Sequence, residues 1–482
     1  MPNLADFIGS QIVPRTDLIM IFCLIVCGFY YSFKLSFVQF RMLPFVFKIL
    51  TERQDKSHKS KDHISPFAAL MISTASRVGI GNIAGIATAI TLGGAGALFW
   101  MWAMAFFGGA SAFAESTLAQ VYKSKDGKGF KGGPAYYIQK ALGIKWLAIA
   151  FAIILVLTYA FGFNALQSYT MTSAFEVYYK NIAETGVSFA DSNFPLIIGA
   201  ILALFGAWLF FSHHSLIGKV SSIIVPIMAL IYIALAFVAI VMNYELIPSV
   251  LKLIFESAFD FEAIFGGFAG SALVIGIKRG LFSNEAGMGS APNAAAAAVT
   301  SHPAKQGIVQ SFAVLIDVII CTATGFLVLF STAYFQNFDA SGQPILKALP
   351  LVQEAMKSYY GGIGLHFVSF SVVLFAITSL IGNYYYAQAN IKFLTNSKSV
   401  MMIFRICAVA IIFIGAQLTL ELAWNFADLT MAFMATTNII SILLLGGIVK
   451  KVMQDFSAQK AMGIDPKFSA TKLGIKNAEC WE

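Results

Sequence analysis

Residues 73–85 read Ser-Thr-Ala-Ser-Arg-Val-Gly-Ile-Gly-Asn-Ile-Ala-Gly, inside an apolar segment long enough to cross a membrane. Glycine weakens a helix because it loses more backbone freedom on folding than other residues, and here Gly79 and Gly81 do so two positions apart. Glycines that only let membrane helices approach each other are expected four residues apart, without charged neighbours. A spacing of two beside Arg77 and Asn82 instead predicts an interrupted helix whose freed backbone groups line a polar cavity.

The whole chain has the composition of a membrane protein. Of its 482 residues, 58% are hydrophobic and 12% are charged, about half the charged fraction of an average soluble domain. This composition excludes a soluble enzyme, a disordered protein and a nucleic-acid-binding domain. The formal net charge is +8, which in a membrane protein matters through the loops that carry it. The five cysteines show neither a disulfide framework nor a metal-ligand spacing.

Hydropathy predicts eleven transmembrane helices, since each span needs about 20 apolar residues. The predicted spans are 17–38, 66–92, 96–121, 146–178, 194–211, 218–242, 262–283, 306–334, 364–391, 400–418 and 423–449. Lysine and arginine concentrate in alternate loops, and Lys278 and Arg279 are counted with the basic side. The positive-inside rule then predicts a multi-pass protein of the plasma (inner) membrane, with an external N-terminus and a cytoplasmic C-terminus.

The spans after the first helix divide into two sets of five. A second glycine-rich stretch, 266–280, opens the second set as the interrupted helix opens the first. Because five is odd, the second set enters from the opposite side, which predicts inverted repeats with a broken first helix in each. Such paired breaks indicate a secondary transporter. The predicted units are an N-terminal helix and cytoplasmic loop, two five-helix repeats and a cytoplasmic tail, at 1–65, 66–245, 246–452 and 453–482.

Three further stretches resemble the motifs of one family, the alanine or glycine:cation symporters, also called the sodium:alanine symporter family. They are GGAGALFWMWAMAFFG at 93–108, GGPAYYI at 132–138 and KRGLFSNEAGMGSAP at 278–292. The resemblance covers about residues 66–450. It implies the five-plus-five inverted-repeat fold of the bacterial leucine transporter with one extra N-terminal helix. It also implies sodium-driven uptake of a small neutral amino acid, alanine or glycine, with sodium as the coupling ion and no other cofactor.

The break predicts part of a sodium site. Sodium needs hard oxygen ligands, and the carbonyls of Ala75 and Val78 lose their helical partners at the break. The ninth span places the hydroxyls of Thr378 and Ser379 side by side in an apolar helix. In the leucine-transporter fold such a pair acts together with the carbonyl three residues earlier, here Phe375. The alternative is that both hydroxyls bond back to their own helix, as is common in membrane spans.

The substrate is expected to lie at the same break. Amides of Ile80 and Gly81 can bind its carboxylate, helped by the positive end of the half-helix that follows. Asn164 and Gln167 match a polar pair in the family, although interhelical hydrogen bonding is a rival role for Asn164. Further backbone contacts are expected from the second glycine-rich stretch, at Gly270, Ser271 and Gly276.

Asn383 is the position where this chain departs from the family. It lies one helical turn after Ser379 and should face the same cavity, whereas the alanine-type members carry tryptophan there. Asparagine leaves more space and adds an amide, so glutamine or another polar neutral amino acid is the alternative substrate. A less favoured alternative is a proton-coupled permease, which would need a carboxylate where the hydroxyl pair stands.

The remaining intramembrane charges suggest a gate. Glu115, Asp317 and Asp428 are costly in lipid and should face the protein interior. Arg77 is expected to pair with Glu285 or Asp428. A channel is disfavoured because two broken helices in inverted repeats suit alternating access better, and a membrane enzyme is disfavoured because no catalytic cluster is visible.

Overall fold

The computed structural model describes residues 8–52, 64–127, 129–180, 186–212, 214–260 and 270–481, which are almost entirely helical. The main helices are α1 Val13–Lys34, α2 Pro66–Arg77, α3 Gly81–Gly93, α4 Ala97–Val121, α5 Pro134–Ala141, α6 Lys145–Tyr179, α7 Phe194–Phe211, α8 His214–Met242, α9 Ile247–Ala258, α10 Ala272–Asn284, α11 Ala291–Ala297, α12 Pro303–Leu329, α13 Leu349–Leu394, α14 Lys398–Gly415, α15 Leu420–Leu444 and α16 Gly446–Ala461. Short helical turns lie at Ile8–Ile12, Val38–Arg41, Leu43–Phe45, Val46–Leu50, Tyr244–Leu246 and Thr332–Phe335. The strands β1 Ser124–Asp126 and β2 Gly129–Lys131 form one antiparallel hairpin.

Eight helices of the described residues are each long and apolar enough to cross a membrane, and two bent pairs raise the number to ten if each is one span. One pair is α2 with α3, bent by 50° at the predicted break. The remaining predicted span, 262–283, is the seventh along the chain and begins in residues outside the described part. Helices α4 and α7 begin and end within one residue of the predicted spans, because long apolar runs are the clearest signal in a membrane sequence.

The second bent pair includes a helix that the sequence did not predict. Helix α9 turns by 79° from the end of α8 and buries Val250, Ile254 and Ala258, which are four residues apart. Its last turn contacts the start of α4, where Trp100 Nε1 donates to the Ala258 carbonyl at 3.0 Å. Helix α9 therefore covers this end of the bundle and does not add a span.

The centre of the bundle is built around α4 and α13. Helix α4 packs against α10 and α12, and α13 packs against α2 and α6. Gly361 adopts φ 61° and ψ −149° and kinks α13, so that a short helix precedes the predicted span of 364–391. The charged residues Glu115, Asp317 and Asp428 are each at most 1% exposed, which confirms that they face the protein interior.

The C-terminal residues fold against the predicted cytoplasmic end of the bundle. Trp481 Nε1 donates to the Gln120 carbonyl at 2.7 Å, and Glu479 pairs with Lys140 at 2.9 Å. Beneath them Lys123 is 1% exposed. Its ammonium donates to Gln120 Oε1 at 2.8 Å and lies 4.5 Å from the centre of the Trp481 ring. Burial lowers the pKa of Lys123 to about 7, since desolvation disfavours the charged form.

This lysine makes the stability of the protein depend on pH. The ordinary pKa of lysine is 10.5, so between about pH 7 and pH 10 the unfolded chain binds more protons at this site than the folded chain. The contribution of Lys123 to the free energy of unfolding therefore rises with pH in that window. We expect the apparent melting temperature in detergent to rise from about pH 7 to about pH 9, and to rise less in Lys123→Met. Equal slopes for both proteins would contradict the assignment.

Candidate substrate and ion site

The first break frees the two backbone carbonyls that the sequence analysis singled out. In a continuous helix the amide of Gly79 would donate to the Ala75 carbonyl, but it donates instead to Asn82 Oδ1 at 3.0 Å. In a continuous helix the amide of Asn82 would donate to the Val78 carbonyl, but it donates to the Gly79 carbonyl at 3.3 Å. Val78 itself is extended, with φ −75° and ψ 95°. The predicted interruption is therefore present between Arg77 and Gly81.

The hydroxyl pair of α13 lies directly beside this break. A methyl group placed on Gly79 would collide with the Ser379 hydroxyl and would lie 3.7 Å from the Gln167 amide nitrogen. Thr378 Oγ1 donates to the Phe375 carbonyl at 2.8 Å, so the predicted back-bonding occurs at Thr378, whose oxygen keeps its lone pairs. Within the described residues Ser379 Oγ and Gln167 Oε1 are buried without a hydrogen-bond partner. Buried polar atoms are rarely left unpaired, so these two are the natural contacts of a ligand.

Asn383 lies next to the break and connects two helices to α13. Its Nδ2 donates to Asn164 Oδ1 at 3.0 Å, and its Oδ1 accepts from Ser76 Oγ at 3.3 Å. The neighbouring Gly382 allows this approach, because a methyl group there would lie 2.8 Å from Ser76 Cβ. Asn164 Nδ2 has no partner among the described residues. The interhelical hydrogen bond that was the rival role for Asn164 is thus present. Its Nδ2 group remains available to a ligand.

The second break is not where the sequence analysis expected it. Within the described residues α10 runs unbroken from Ala272 to Asn284, and the interruption lies at 285–290, between α10 and α11. There Glu285, Gly287 and Gly289 have φ values of 57°, 83° and 88°, a region that L-residues other than glycine seldom adopt.

The glycines of 266–280, which were predicted to form the second break, do not form it. Some lie outside the described residues, and others pack α10 against α4. Residues 266–269 lie outside the described part of the chain. A methyl group on Gly276 would collide with the Ala97 carbonyl, and one on Gly280 would lie 3.4 Å from Met101 Cα. These two glycines are four residues apart and let α10 approach α4, as packing glycines do. Gly270 and Ser271 precede α10, at the opposite end of that helix from the break. The structure therefore does not bring Gly270, Ser271 or Gly276 to the centre.

The two breaks face each other at the centre of the bundle. A methyl group on Gly81 would lie 3.0 Å from the Phe282 ring and 3.3 Å from Ser283 Cα. Across the gap, Ser76 Oγ donates to Glu285 Oε1 at 2.7 Å. Both breaks carry the spacing Gly-x-Gly, at 79–81 and 287–289. This shared pattern was the sequence signal for the second break.

A buried ion-pair cluster stands between the centre and the predicted external side. Arg279 donates to both oxygens of Asp428 at 2.9 and 2.7 Å, and its guanidinium lies 3.6 Å from the centre of the Trp424 ring. Lys278 bridges Asp428 at 3.1 Å and Asp17 at 2.8 Å. Lys278 and Arg279 are therefore intramembrane residues, and counting them with the cytoplasmic loops was wrong.

The gate that the sequence analysis assigned to Arg77 also differs in the structure. Arg77 NH1 donates to Gln310 Oε1 at 3.2 Å, and among the described residues no ion pair joins it to Glu285 or Asp428. Arg279, which no gate hypothesis included, is the partner of Asp428. Beyond Trp424, a cavity of about 200 Å³ lies on the predicted external side, and Ala84 and Thr170 are among its lining residues.

Comparison with known proteins identifies the family. The sequence model of the sodium:alanine symporter family matches residues 3–470. The chain belongs to the sodium:alanine symporter family. It is 44% identical to the probable sodium/glutamine symporter GlnT of Bacillus subtilis, over 96% of this chain and 93% of that protein. It is 40% identical to the amino-acid carrier protein AlsT of the same organism, over 99% and 98%.

Two further similarities extend this result. The chain is 38% identical to the sodium/alanine symporter AgcS of Methanococcus maripaludis, over 91% of this chain and 94% of that protein. It also aligns with the crystal structure of MhsT in complex with L-phenylalanine, with a TM-score of 0.54, 14% identity, and 82% and 90% of the two chains covered. This likeness supports the five-plus-five fold. The protein is thus a multi-pass membrane transporter of the symporter type and not an enzyme.

The close approach at Gly79 generates a direct test of the site. We expect Gly79→Ala to reduce transport per folded molecule by about tenfold or more, because the added methyl group displaces the Ser379 hydroxyl. Gly447→Ala is the matched control, since a methyl group there meets no atom within 4 Å. Uptake into liposomes, normalised to folded protein, measures both variants. Normal uptake by Gly79→Ala would show that the contact is not needed.

Proposed function

We propose that this protein couples the movement of sodium to the uptake of a neutral amino acid by alternating access. The observation that carries the proposal is the convergence of Gly79, Ser379 and Gln167 at the first break. There, freed carbonyls, a hydroxyl pair and an amide meet in the interior of a membrane bundle. Broken helices that offer carbonyls to a cation and amides to an anionic group are the recurrent design of such transporters.

The proposed sodium ligands are the carbonyls of Ala75, Val78 and Phe375 and the hydroxyls of Thr378 and Ser379. The amides that would have occupied the Ala75 and Val78 carbonyls bond elsewhere, which leaves their lone pairs for a cation. All of the ligands are neutral. A site of this kind suits a monovalent ion, because no buried carboxylate has to be compensated when the ion leaves.

The proposed substrate contacts lie at the first break and on α6 and α13, on the side that faces the second break. The carboxylate of the amino acid would meet the amides of Ile80 and Gly81 at the N-terminal end of α3, and Gln167 Oε1 would accept from its ammonium group. The side chain would extend toward Asn164 and Asn383. The free Nδ2 of Asn164 offers a donor to a side-chain carbonyl, which favours glutamine or another polar neutral amino acid over alanine and glycine. The 44% identity to a probable sodium/glutamine symporter supports the same choice.

The proposed orientation is an external N-terminus and a cytoplasmic C-terminus. Lys125, Lys131 and Lys140 lie at the end where α4 terminates, and the helix α16 ends there as well. Lys278 and Arg279 lie within the bundle and no longer count with the cytoplasmic loops. They add no net charge to the external side, because they pair with Asp17 and Asp428.

Uptake into liposomes tests the central proposal. Purified protein should accumulate labelled glutamine when a sodium gradient is imposed, and should not do so with choline in its place. Labelled alanine, tested in parallel, shows whether the smaller substrate is preferred. Uptake of every neutral amino acid that is indifferent to the sodium gradient would disprove sodium coupling.

The hydroxyl pair gives a specific test of the sodium site. The double variant Thr378→Ala with Ser379→Ala removes two of the five proposed oxygen ligands and leaves α13 intact. We expect the sodium concentration for half-maximal uptake to rise by about tenfold or more. Ser371→Ala is the control, since its hydroxyl is buried on the same helix and, among the described residues, bonds only to the Phe367 carbonyl at 2.7 Å. Unchanged sodium activation in the double variant would place the site elsewhere.

Asn383 gives the test of selectivity. An indole at this position would fill the space beside Asn164, so we expect Asn383→Trp to shift preference toward alanine and glycine and to exclude glutamine. Pockets discriminate by about 1–3 kcal/mol per methylene, and more when a buried amide loses its partner. Competition of glutamine against labelled alanine uptake measures the shift, and Asn383→Ala separates loss of the amide from added volume. Equal competition by glutamine in the wild type and in Asn383→Trp would remove Asn383 from the site.

A further inference from the structure

Several buried carboxylates near the centre belong to neither the sodium site nor the substrate contacts, and two of them bind the broken segments from neighbouring helices. These two are Glu115 on α4 and Asp317 on α12, which are 0% and 1% exposed. Amides, a hydroxyl and a thiol donate to them, and among the described residues neither carboxylate forms an ion pair with lysine, arginine or histidine. Placing a carboxyl group inside a membrane bundle costs free energy, so we expect each of these two groups to have a specific function.

Glu115 binds the backbone of the second break. Its Oε1 accepts from the amide of Gly287 at 3.2 Å, and its Oε2 accepts from the amide of Gly289 at 3.0 Å. Asn438 Nδ2 on α15 donates to Glu115 Oε2 at 2.7 Å and to the Gly287 carbonyl at 2.9 Å. The segment Gly287-Met288-Gly289 is thus held from two sides, by α4 and by α15.

The geometry requires an acceptor at both oxygens of Glu115. A carboxylate is acceptor-only, whereas a glutamine in its place would turn an NH₂ group toward an amide donor. The backbone also has little freedom to adjust, because a methyl group on Gly289 would lie 2.9 Å from both Asn438 Cγ and Phe151 Cζ. We call the contact of Glu115 with the Gly287 and Gly289 amides the Glu115 clamp. It therefore depends on the two acceptor oxygens of Glu115 and not only on the volume of the side chain.

Asp317 has the corresponding relation to the first break. Asn82 Nδ2 donates to Asp317 Oδ1 at 2.6 Å, while the Oδ1 of the same asparagine accepts from the amide of Gly79. Ser283, at the end of α10, donates to both oxygens of Asp317 at 2.9 Å. Asp317 fixes the Asn82 side chain, which in turn holds the Gly79 amide away from the Ala75 carbonyl.

Each carboxylate belongs to one repeat and contacts the broken segment of the other repeat. Helix α4 follows the first broken helix and supplies the carboxylate for the break at 287–289. Helix α12 follows the second broken helix and supplies the carboxylate for the break at 79–81. We propose that Glu115 and Asp317 are positioning residues for transport, and that each fixes the Gly-x-Gly segment of the opposite repeat in the conformation that binds ligand.

This proposal rests on the proposed function, and the two carboxylates act on the two ligands differently. Asp317, through Asn82, controls the first break, which offers the Ala75 and Val78 carbonyls to sodium and the Ile80 and Gly81 amides to the substrate carboxylate; we call this contact the Asp317 clamp. The Glu115 clamp controls the break that faces Gly81 and Ser76 across the substrate position. Loosening Glu115 should therefore weaken the amino acid and spare sodium, provided that sodium binding is measured without amino acid, because coupled ligands transmit their changes to each other.

The decisive variant is Glu115→Gln in the full-length protein. At saturating sodium we expect its KM for glutamine to rise by about tenfold or more, and its Kd for sodium alone to change by less than about twofold. Asp317→Asn should weaken both ligands, because the first break carries the sodium carbonyls as well as the amides for the substrate carboxylate. Gln39→Ala is the control for a lost buried amide, since among the described residues its side chain bonds to Ser32 and to the Phe106 carbonyl, neither of which belongs to a break.

Hydrogen exchange gives a readout that does not require transport. Amides in the peptide covering 285–290 should exchange faster in Glu115→Gln than in the wild type, and at the wild-type rate in Gln39→Ala. If Glu115→Gln does not fold, Asn438→Ala removes one donor from the clamp and should raise the KM by about threefold. Unchanged exchange at 285–290, or an unchanged KM in folded protein, overturns the clamp. A wild-type protein that shows no sodium-driven uptake overturns the proposed function instead, and the exchange result still decides the clamp.

Discussion

A helix that is interrupted inside a membrane must find partners for the backbone groups that it frees, because lipid supplies none. Around both breaks of this protein several of those partners are side chains. Asn82 accepts from the amide of Gly79, and Glu115 accepts from the amides of Gly287 and Gly289. The first break lies beside Ser379 of α13. The position of the proposed site thus follows from the requirement to satisfy the broken backbone.

The first break and most of the spans could be predicted because their signals are local. A span of about 20 apolar residues stands out from any loop, and the spacing of Gly79 and Gly81 beside Asn82 has no good explanation in a regular helix. The residues around it depended on the family resemblance and the fold that it implies, and the structure brings Ser379, Gln167, Asn164 and Asn383 together there. What the sequence could not supply is the partner of each side chain. The pairing of Asn383 with Asn164 depends on how α13 and α6 cross.

The second break was misplaced because glycine content was weighed above glycine spacing. Gly276 and Gly280 are four residues apart and serve the packing of α10 on α4, the role considered and rejected for the first break. The spacing of two occurs at Gly287 and Gly289, inside the motif that carried the family resemblance. Lys278 and Arg279 were placed in a loop for a related reason. A positive charge was taken as a mark of the cytoplasmic side, whereas both residues are neutralised by carboxylates of α1 and α15 that sequence distance conceals.

The ion pair on the external side of the site and the carboxylate contacts at the breaks differ in chemistry. This difference determines which of them can separate during transport. The cluster of Arg279 and Asp428 is an ion pair taken out of water, and the attraction in such a pair is largely offset by the cost of desolvating both groups. Its net contribution to closure is therefore small, and rehydration through the adjacent cavity lowers the cost of separating it further. The carboxylate clamps have no such compensation. If Glu115 withdrew, two buried backbone amides would lose their acceptor, at about 1–3 kcal/mol for each that is left unpaired. Alternating access is thus expected to separate the ion pair while each broken segment stays fixed to its carboxylate and moves with it as one unit.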